Sequence, residues 1–197
     1  MLASDPGAMD ALIARYGMGI TEMTALRLPG AKLPDVLGNL HWKHILEIGT
    51  CQGLTAAVLA EHADRVTTID IVDRPVCEEV WKFFGCLGKI DRRVCRDDKH
   101  KAEIIGEIGF DAGFDMAYVD GCHDRPGAAF DFVCVKGCGC VLFHDYPTAD
   151  PPHPYHWFNE PVNSTSDGVG YLLDGIEPKG RIIRIAPFAF WFAQGNE

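Results

Sequence analysis

Residues 45–55, Ile-Leu-Glu-Ile-Gly-Thr-Cys-Gln-Gly-Leu-Thr, restrict the possible folds more than any other stretch. Ile45, Leu46 and Ile48 read as a buried strand. Gly49 and Gly53 bracket a tight turn, and a helix is expected at once over residues 54–60. A strand that feeds a helix through a glycine turn opens a βαβ unit, whose bare backbone and helix N-terminus can hold a ligand closely. Glycine is needed there because a Cβ would block either the turn or the ligand's approach. The next strand, residues 66–69, delivers Asp70, a carboxylate where the ribose hydroxyls of a nucleoside would bind. A glycine turn alone is common in α/β proteins. Strand, turn, helix, strand and acidic tip in this order point to a nucleoside site.

The rest of the chain continues the alternation. Apolar positions at helical intervals (Met9, Leu12, Ile13, Tyr16) predict one or two helices over residues 8–27, stopped by Leu28-Pro29-Gly30. A short helix from Pro34 to Leu40 leads into the first strand. Arg74-Pro75 starts a helix that runs to Phe84 and closes at Gly85 and Gly88. Residues 92–96 read as a third strand ending at Asp97-Asp98, and residues 101–108 as a helix. Residues 114–119 form a strand delivering Asp120, residues 125–135 a helix, and residues 140–143 a strand delivering His144 and Asp145. Such alternation implies a mainly parallel sheet with helices on both faces, and ligands in such sheets bind outside the carboxyl ends of the strands. Asp70, Asp97, Asp120, His144 and Asp145 should therefore crowd one edge.

Residues 146–166 break the pattern with Pro147, Pro151, Pro152, Pro154 and Pro161 among His153, Tyr155, His156, Trp157 and Phe158. A connection this long is unusual unless it has a task, so residues 147–165 are read as a lid or pocket wall beside His144-Asp145. A helix over residues 168–176 and two strands, residues 181–186 and 188–193, separated by Pro187, complete the chain; the two strands are most simply an antiparallel hairpin.

Composition excludes several partners. At 197 residues the chain is long enough for one domain with a substantial core. A formal net charge of −10 argues against nucleic acid and anionic membrane, both of which need a basic face. No apolar run of about 18 residues exists, and the N-terminus lacks a basic region followed by an apolar one, so neither a membrane span nor a signal peptide is expected. The eight cysteines show no Cys-x-x-Cys spacing. Reduced thiols in the cytoplasm are the favoured reading, and Cys134, Cys138 and Cys140, the one cluster, lack the paired spacing of a zinc site.

Three motifs together resemble a known family. Glu47-Ile48-Gly49-Thr50-Cys51-Gln52-Gly53 resembles the first motif of class I S-adenosylmethionine-dependent methyltransferases, acid-x-Gly-x-Gly-x-Gly, with Cys51 in place of the middle glycine. That departure is shared by the branch containing small O-methyltransferases of the catechol type and cephalosporin-hydroxylase-like proteins, in which Gly53-Leu54-Thr55 also has its counterpart. Tyr118-Val119-Asp120-Gly121-Cys122-His123 is similar to the branch's (I/V)DG-x-H motif, and Val141-Leu142-Phe143-His144-Asp145-Tyr146 to its HDY ending. The resemblance runs from about Leu37 to Phe192.

The resemblance implies an α/β fold: a doubly wound, Rossmann-like sheet of seven strands, mostly parallel with an antiparallel C-terminal hairpin. It divides the chain into an N-terminal helical segment (residues 1–36) and a methyltransferase-like domain (residues 37–197). It implies that Glu47, Gly49, Thr50 and Gly53 line the methionine end of S-adenosylmethionine, that Asp70 takes the ribose hydroxyls, and that Asp97 or Asp98 lies near the adenine. Asp120 would sit between cofactor and a small-molecule acceptor. In metal-dependent relatives, the positions of Asp120, His144 and Asp145 hold magnesium.

His144 replaces a carboxylate of that metal set. Magnesium prefers hard oxygen ligands, whereas imidazole suits transition metals better. Three roles are therefore open to His144: general base toward a substrate hydroxyl, ligand of a divalent metal, or packed imidazole. His123 either braces the turn after Asp120 or supports the site, and His153 and His156 read as loop residues. The leading functional reading is O-methylation of a small hydroxylated molecule, with Asp120, His144 and Asp145 catalytic. The alternatives are a non-catalytic nucleoside-binding or interaction member of the fold, and a nicotinamide-dependent oxidoreductase, whose Gly-x-Gly-x-x-Gly spacing is not supplied here. Self-association into a homo-oligomer is compatible with any of these.

Overall fold

Seven strands carry the architecture: β1 Trp42–Ile48, β2 Ala63–Asp70, β3 Ile90–Val94, β4 Met116–Val119, β5 Cys140–Phe143, β6 Gly180–Ile185 and β7 Phe188–Ala193. The computed structural model describes residues 2–17, 32–122, 124–144, 169, 172–173, 175, 180–185 and 187–193. The strands join in one sheet in the order β3-β2-β1-β4-β5-β7-β6. β1 to β5 are mutually parallel, β7 runs antiparallel to β5, and β6 antiparallel to β7. The chain winds outward from β1 to β3, then crosses back to β4 on the other side of β1. Between β1 and β4 lies the topological switch point, where open α/β sheets bind ligands.

Alternation along the strands divides the core in two. Ile45, Val66, Met116, Tyr118, Leu142, Phe188 and Phe190 point to one face, packed with Leu54, Val58, Leu59, Val80 and Trp81. Leu46, Ile48, Ile69, Ala117, Val119, Val141, Phe143 and Trp191 point to the other, packed with Ile105, Phe132 and Val135. The strand period of two is thus read out on two helical layers. Helices Leu54–Leu59 and Val76–Phe84 cover the first face, and Asp98–Ala112 and Arg125–Val135 the second. The N-terminal helix Pro6–Tyr16 and the short helix Leu33–Leu37 add Leu12, Leu33 and Leu37 to the first core. Ser4 ties the chain's start down by donating its Oγ to Glu61 at 2.6 Å. No described helix is long and apolar enough to cross a membrane.

Several boundaries depart from the sequence expectation. β1 and β2 start three residues early, because Trp42 pairs with Ala63 across the ladder. β3 covers residues 90–94 instead of 92–96, drawn into register by Val66–Asp70 of β2. The following helix begins at Asp98, because Asp97 caps it by accepting the His100 amide at 2.8 Å. The N-terminal helix stops at Gly17, in left-handed conformation at φ 61°. The expected stop at Leu28-Pro29-Gly30 and the Pro-rich segment of residues 147–165 lie outside the described residues.

Candidate active site

The loop after β1 is built by three positive-φ residues, Gly49 (98°), Cys51 (45°) and Gly53 (87°). A Cβ on Gly49 would lie 2.1 Å from the Asp120 carbonyl oxygen, and one on Gly53 would lie 2.7 Å from Trp81 Nε1. In both places the neighbour is protein. Gly49 lets the β1 loop lie against the turn after β4, and Gly53 leaves room for the Trp81 indole, which donates to the Gly53 carbonyl at 2.7 Å. The helix Leu54–Leu59 starts directly behind it. Trp81 gave no sign of this role in the sequence, because a tryptophan on an apolar helix face reads as core.

Glu47, the next-to-last residue of β1, is fully buried. Its carboxylate accepts a hydrogen bond from the Thr68 hydroxyl. Thr68 has only one proton to give, so its 2.6 Å contact with Thr50 is a bond donated by Thr50. Glu47, Thr68 and Thr50 thus form a buried chain under the loop. Glu47 supports the loop from within.

Asp70 sits half-buried at the tip of β2. One carboxylate oxygen accepts the Cys51 amide at 2.8 Å and the other the Val72 amide at 2.9 Å. Each oxygen keeps a second lone pair, so the group can still accept two hydroxyls. Ile71 and Val72 beside it are exposed, an apolar wall next to the carboxylate. Just beyond the neighbouring strand β3, the Cys95 amide donates to the Asp70 carbonyl at 2.9 Å. Asp97 is engaged in capping its helix, and Asp98 is exposed and paired with Lys101 at 2.9 Å.

Asp120 and His144 are each the first residue beyond neighbouring strands, β4 and β5, whose register pairs Val119 with Phe143. The His144 amide donates to the Val119 carbonyl at 3.1 Å, and Nδ1 of the ring lies 3.0 Å from Asp120 Oδ1. Tyr118 donates its hydroxyl to Asp120 Oδ2 at 3.5 Å. His144 is buried, and its ring packs against Phe188 with centroids 5.2 Å apart. A carboxylate facing Nδ1 fixes the proton there in the neutral ring and makes Nε2 the basic nitrogen. Asp145, His123, His153 and His156 lie outside the described residues.

Two further charged residues stand behind this turn, unnoticed in the sequence. Lys101 and Asp131 form a buried ion pair, and Asp131 also accepts the Cys122 amide at 3.4 Å. Burial would lower Lys101, but its hydrogen bonds to Asp131 and Asp98 hold it above its ordinary value. Asp131 had one sequence signal, a carboxylate between Phe130 and Phe132 on an apolar helix; Lys101 had none. Among the described residues no group of three His, Cys, Asp or Glu side chains converges as a metal would require. Burial pushes Cys138 up to about 11 and Cys140 up to about 12, so both are protonated thiols at neutral pH and poor ligands.

This sheet order, with an antiparallel β7 between β5 and β6, is that of the class I methyltransferase fold, as the motif resemblance implied. The chain is similar to a candidate O-methyltransferase from Klebsiella pneumoniae, with a TM-score of 0.65 and 15% identity, covering 97% of this chain and 91% of that one. It is also similar to the O-methyltransferase from Bacillus cereus in complex with SAH, with a TM-score of 0.61 and 12% identity, covering 96% and 92%. A candidate caffeoyl-CoA O-methyltransferase from Staphylococcus aureus gives 0.62 and 15%, covering 96% and 100%. The sequence matches no protein-family model and no curated protein. At these identities the likeness establishes the fold alone.

Proposed function

We propose that the protein is an S-adenosylmethionine-dependent methyltransferase acting on a hydroxyl of a small molecule. The observation that carries this reading is the Asp120–His144 pair, placed at the switch point of the sheet and directly against the glycine loop. The cofactor fits the donor set: Asp70 retains two acceptor positions for ribose hydroxyls, and Ile71 and Val72 offer an apolar surface to the base. S-adenosylmethionine supplies an activated methyl group. Asp120 holds the His144 ring by Nδ1, and Nε2 would take the proton of the acceptor hydroxyl, leaving its oxygen the nucleophile for that methyl group. The products are the methyl ether, S-adenosylhomocysteine and a proton released from the imidazole.

An imidazole at His144, in place of a carboxylate, is a poor site for magnesium. Asp145 is retained as a candidate third member of the site and residues 147–165 as a candidate lid over the acceptor. The acidic net charge supports a partner that is neither nucleic acid nor anionic membrane, and eight free thiols favour a cytoplasmic setting.

Calorimetric titration with S-adenosylmethionine and with NADH tests the cofactor. Binding of NADH alone would refute the reading in favour of an oxidoreductase, and binding of neither would favour an interaction domain. A methyl-transfer screen over hydroxylated acceptors then tests the reaction. Chelator-stripped protein should retain full rate, the rate should rise with pH as an imidazole loses its proton, and His144→Ala should abolish it. Loss of activity on stripping, restored by one divalent ion, would return His144 and Asp120 to the role of ligands.

A further inference from the structure

We propose that Lys101 and Asp131 are positioning residues that fix the turn carrying Asp120 and, through it, the Asp120–His144 contact; the catalytic meaning of that contact rests on the function proposed above. Lys101 comes from the helix Asp98–Ala112 and Asp131 from the helix Arg125–Val135, and their side chains are 7% and 0% exposed. The Lys101 ammonium also lies over the Phe130 ring, 5.4 Å from its centroid, so the pair is enclosed by its own helices.

The carboxylate of Asp131 reaches past the ion pair to the chain just after Asp120. It accepts the Cys122 amide, and it occupies the space a side chain at Gly121 would need: a Cβ there would lie 2.9 Å from Asp131 Oδ2 and 2.9 Å from Ile48 Cγ2. The peptide following Asp120 is therefore confined between β1 and Asp131. On its other side the Asp120 carbonyl abuts Gly49, and the Asp120 amide donates to the Ile48 carbonyl at 2.9 Å. Further along, Asp124 accepts the Gly127 amide at 2.7 Å and starts the helix that brings Asp131 back under the turn. Removing Asp131 leaves Gly121-Cys122, a glycine with its neighbour, without the anchor that restricts them. Asp120 then keeps its strand bond but loses the fixed exit of the chain that sets its side-chain direction.

Net stability is a poor account of such a pair. Two charges withdrawn from water are commonly replaced by well-packed apolar residues at no loss, so stability alone does not call for such a pair. A pair that merely joined the two helices would be replaced without consequence for the imidazole 24 residues from Asp120.

The test is the double variant Lys101→Met/Asp131→Leu, in full-length protein with 15N-labelled histidine. Thermal unfolding measures stability, and the ring nitrogen resonances of His144, assigned by their absence in His144→Ala, measure the tautomer and its hydrogen bond. The expected result is unfolding within a few degrees of wild type together with a His144 ring that exchanges between tautomers, in place of the single Nδ1–H form. Lys101→Arg alone, which keeps a cation beside Asp131, should leave the wild-type resonances in place. In methyl transfer, kcat should fall by about 10- to 100-fold while the KM for S-adenosylmethionine stays within about twofold, the signature of a misaimed reacting group. An unchanged His144 spectrum in the folded double variant would overturn the proposal. Should that variant fail to fold, Lys101→Gln/Asp131→Val, uncharged and without an acceptor for the Cys122 amide, is read by the same spectrum: altered tautomer exchange supports the proposal, an unaltered ring refutes it. The spectrum needs no turnover, so a protein that never transfers a methyl group refutes the proposed function while this outcome still decides the role of the pair.

Discussion

Replacing Gly49 by alanine separates two costs that positive-φ glycines usually combine. Gly49 has φ 98° and a backbone carbonyl, that of Asp120, 2.1 Å from where the new Cβ would stand. Gly85 has φ 70° and nothing within 4 Å of that position. The left-handed backbone costs an alanine about 1–2 kcal/mol at either site. At Gly49 the methyl must also push apart the β1 loop and the β4 turn, an overpacking cost of about 1–3 kcal/mol. Gly49→Ala should therefore lose about 2–5 kcal/mol and Gly85→Ala about 1–2 kcal/mol. For a chain of this length each kcal/mol shifts Tm by about 2–4 °C. Thermal unfolding followed by far-ultraviolet circular dichroism should place Gly49→Ala about 4–20 °C below wild type and Gly85→Ala about 2–8 °C below it. Gly53→Ala, which meets the buried Trp81 indole at 2.7 Å, should fall between them. If Gly49→Ala were no less stable than Gly85→Ala, the close approach of the two loops would be refuted, and Gly49 would be needed for its backbone conformation alone.

Asp70→Ala should weaken S-adenosylmethionine binding by about 1–3 kcal/mol in calorimetry, because the ribose hydroxyls would lose their acceptor; unchanged affinity would remove Asp70 from the site. Trimming Tyr155 and Trp157 to alanine should raise the KM of the acceptor and leave cofactor affinity nearly intact, whereas equal loss of both would make residues 147–165 a structural segment. His44 should make stability depend on pH. Burial, then the nearby Arg65, lowers its pKa from the ordinary 6.5, against the opposing pull of Asp115 and Asp91. The unfolded chain thus binds a proton more readily than the folded one, so this stability is fully present above pH 6.5 and is lost as pH falls toward and through the lowered value. Urea unfolding of wild type and His44→Gln between pH 7.5 and about 5 checks the sign; a wild-type curve no steeper than the variant's would refute it.

What the sequence could determine is what short-range patterning determines. The glycine turn, the helix behind it and the period-two strands were legible because backbone conformation and face alternation are settled within a few residues. The helix Arg125–Val135 and the strands β5 and β7 were read with the bounds observed, each being marked by local turn residues or an uninterrupted apolar run. Asp120 and His144 could be expected at one edge because both follow strands directly. Other features depend on contacts between distant segments. The start of β3 was set by its partner β2. Gly49 read as a turn or ligand glycine, and only the turn after β4, which ends against it, shows the further reason for its missing side chain. The proton position on His144 follows from a carboxylate 24 residues away, and Lys101 acquires its meaning from Asp131 on another helix. A sequence window records which residues prefer a strand, a turn or a helix. The identity of a side chain's neighbour, and hence its charge and proton, is decided only when the sheet brings separate segments into contact.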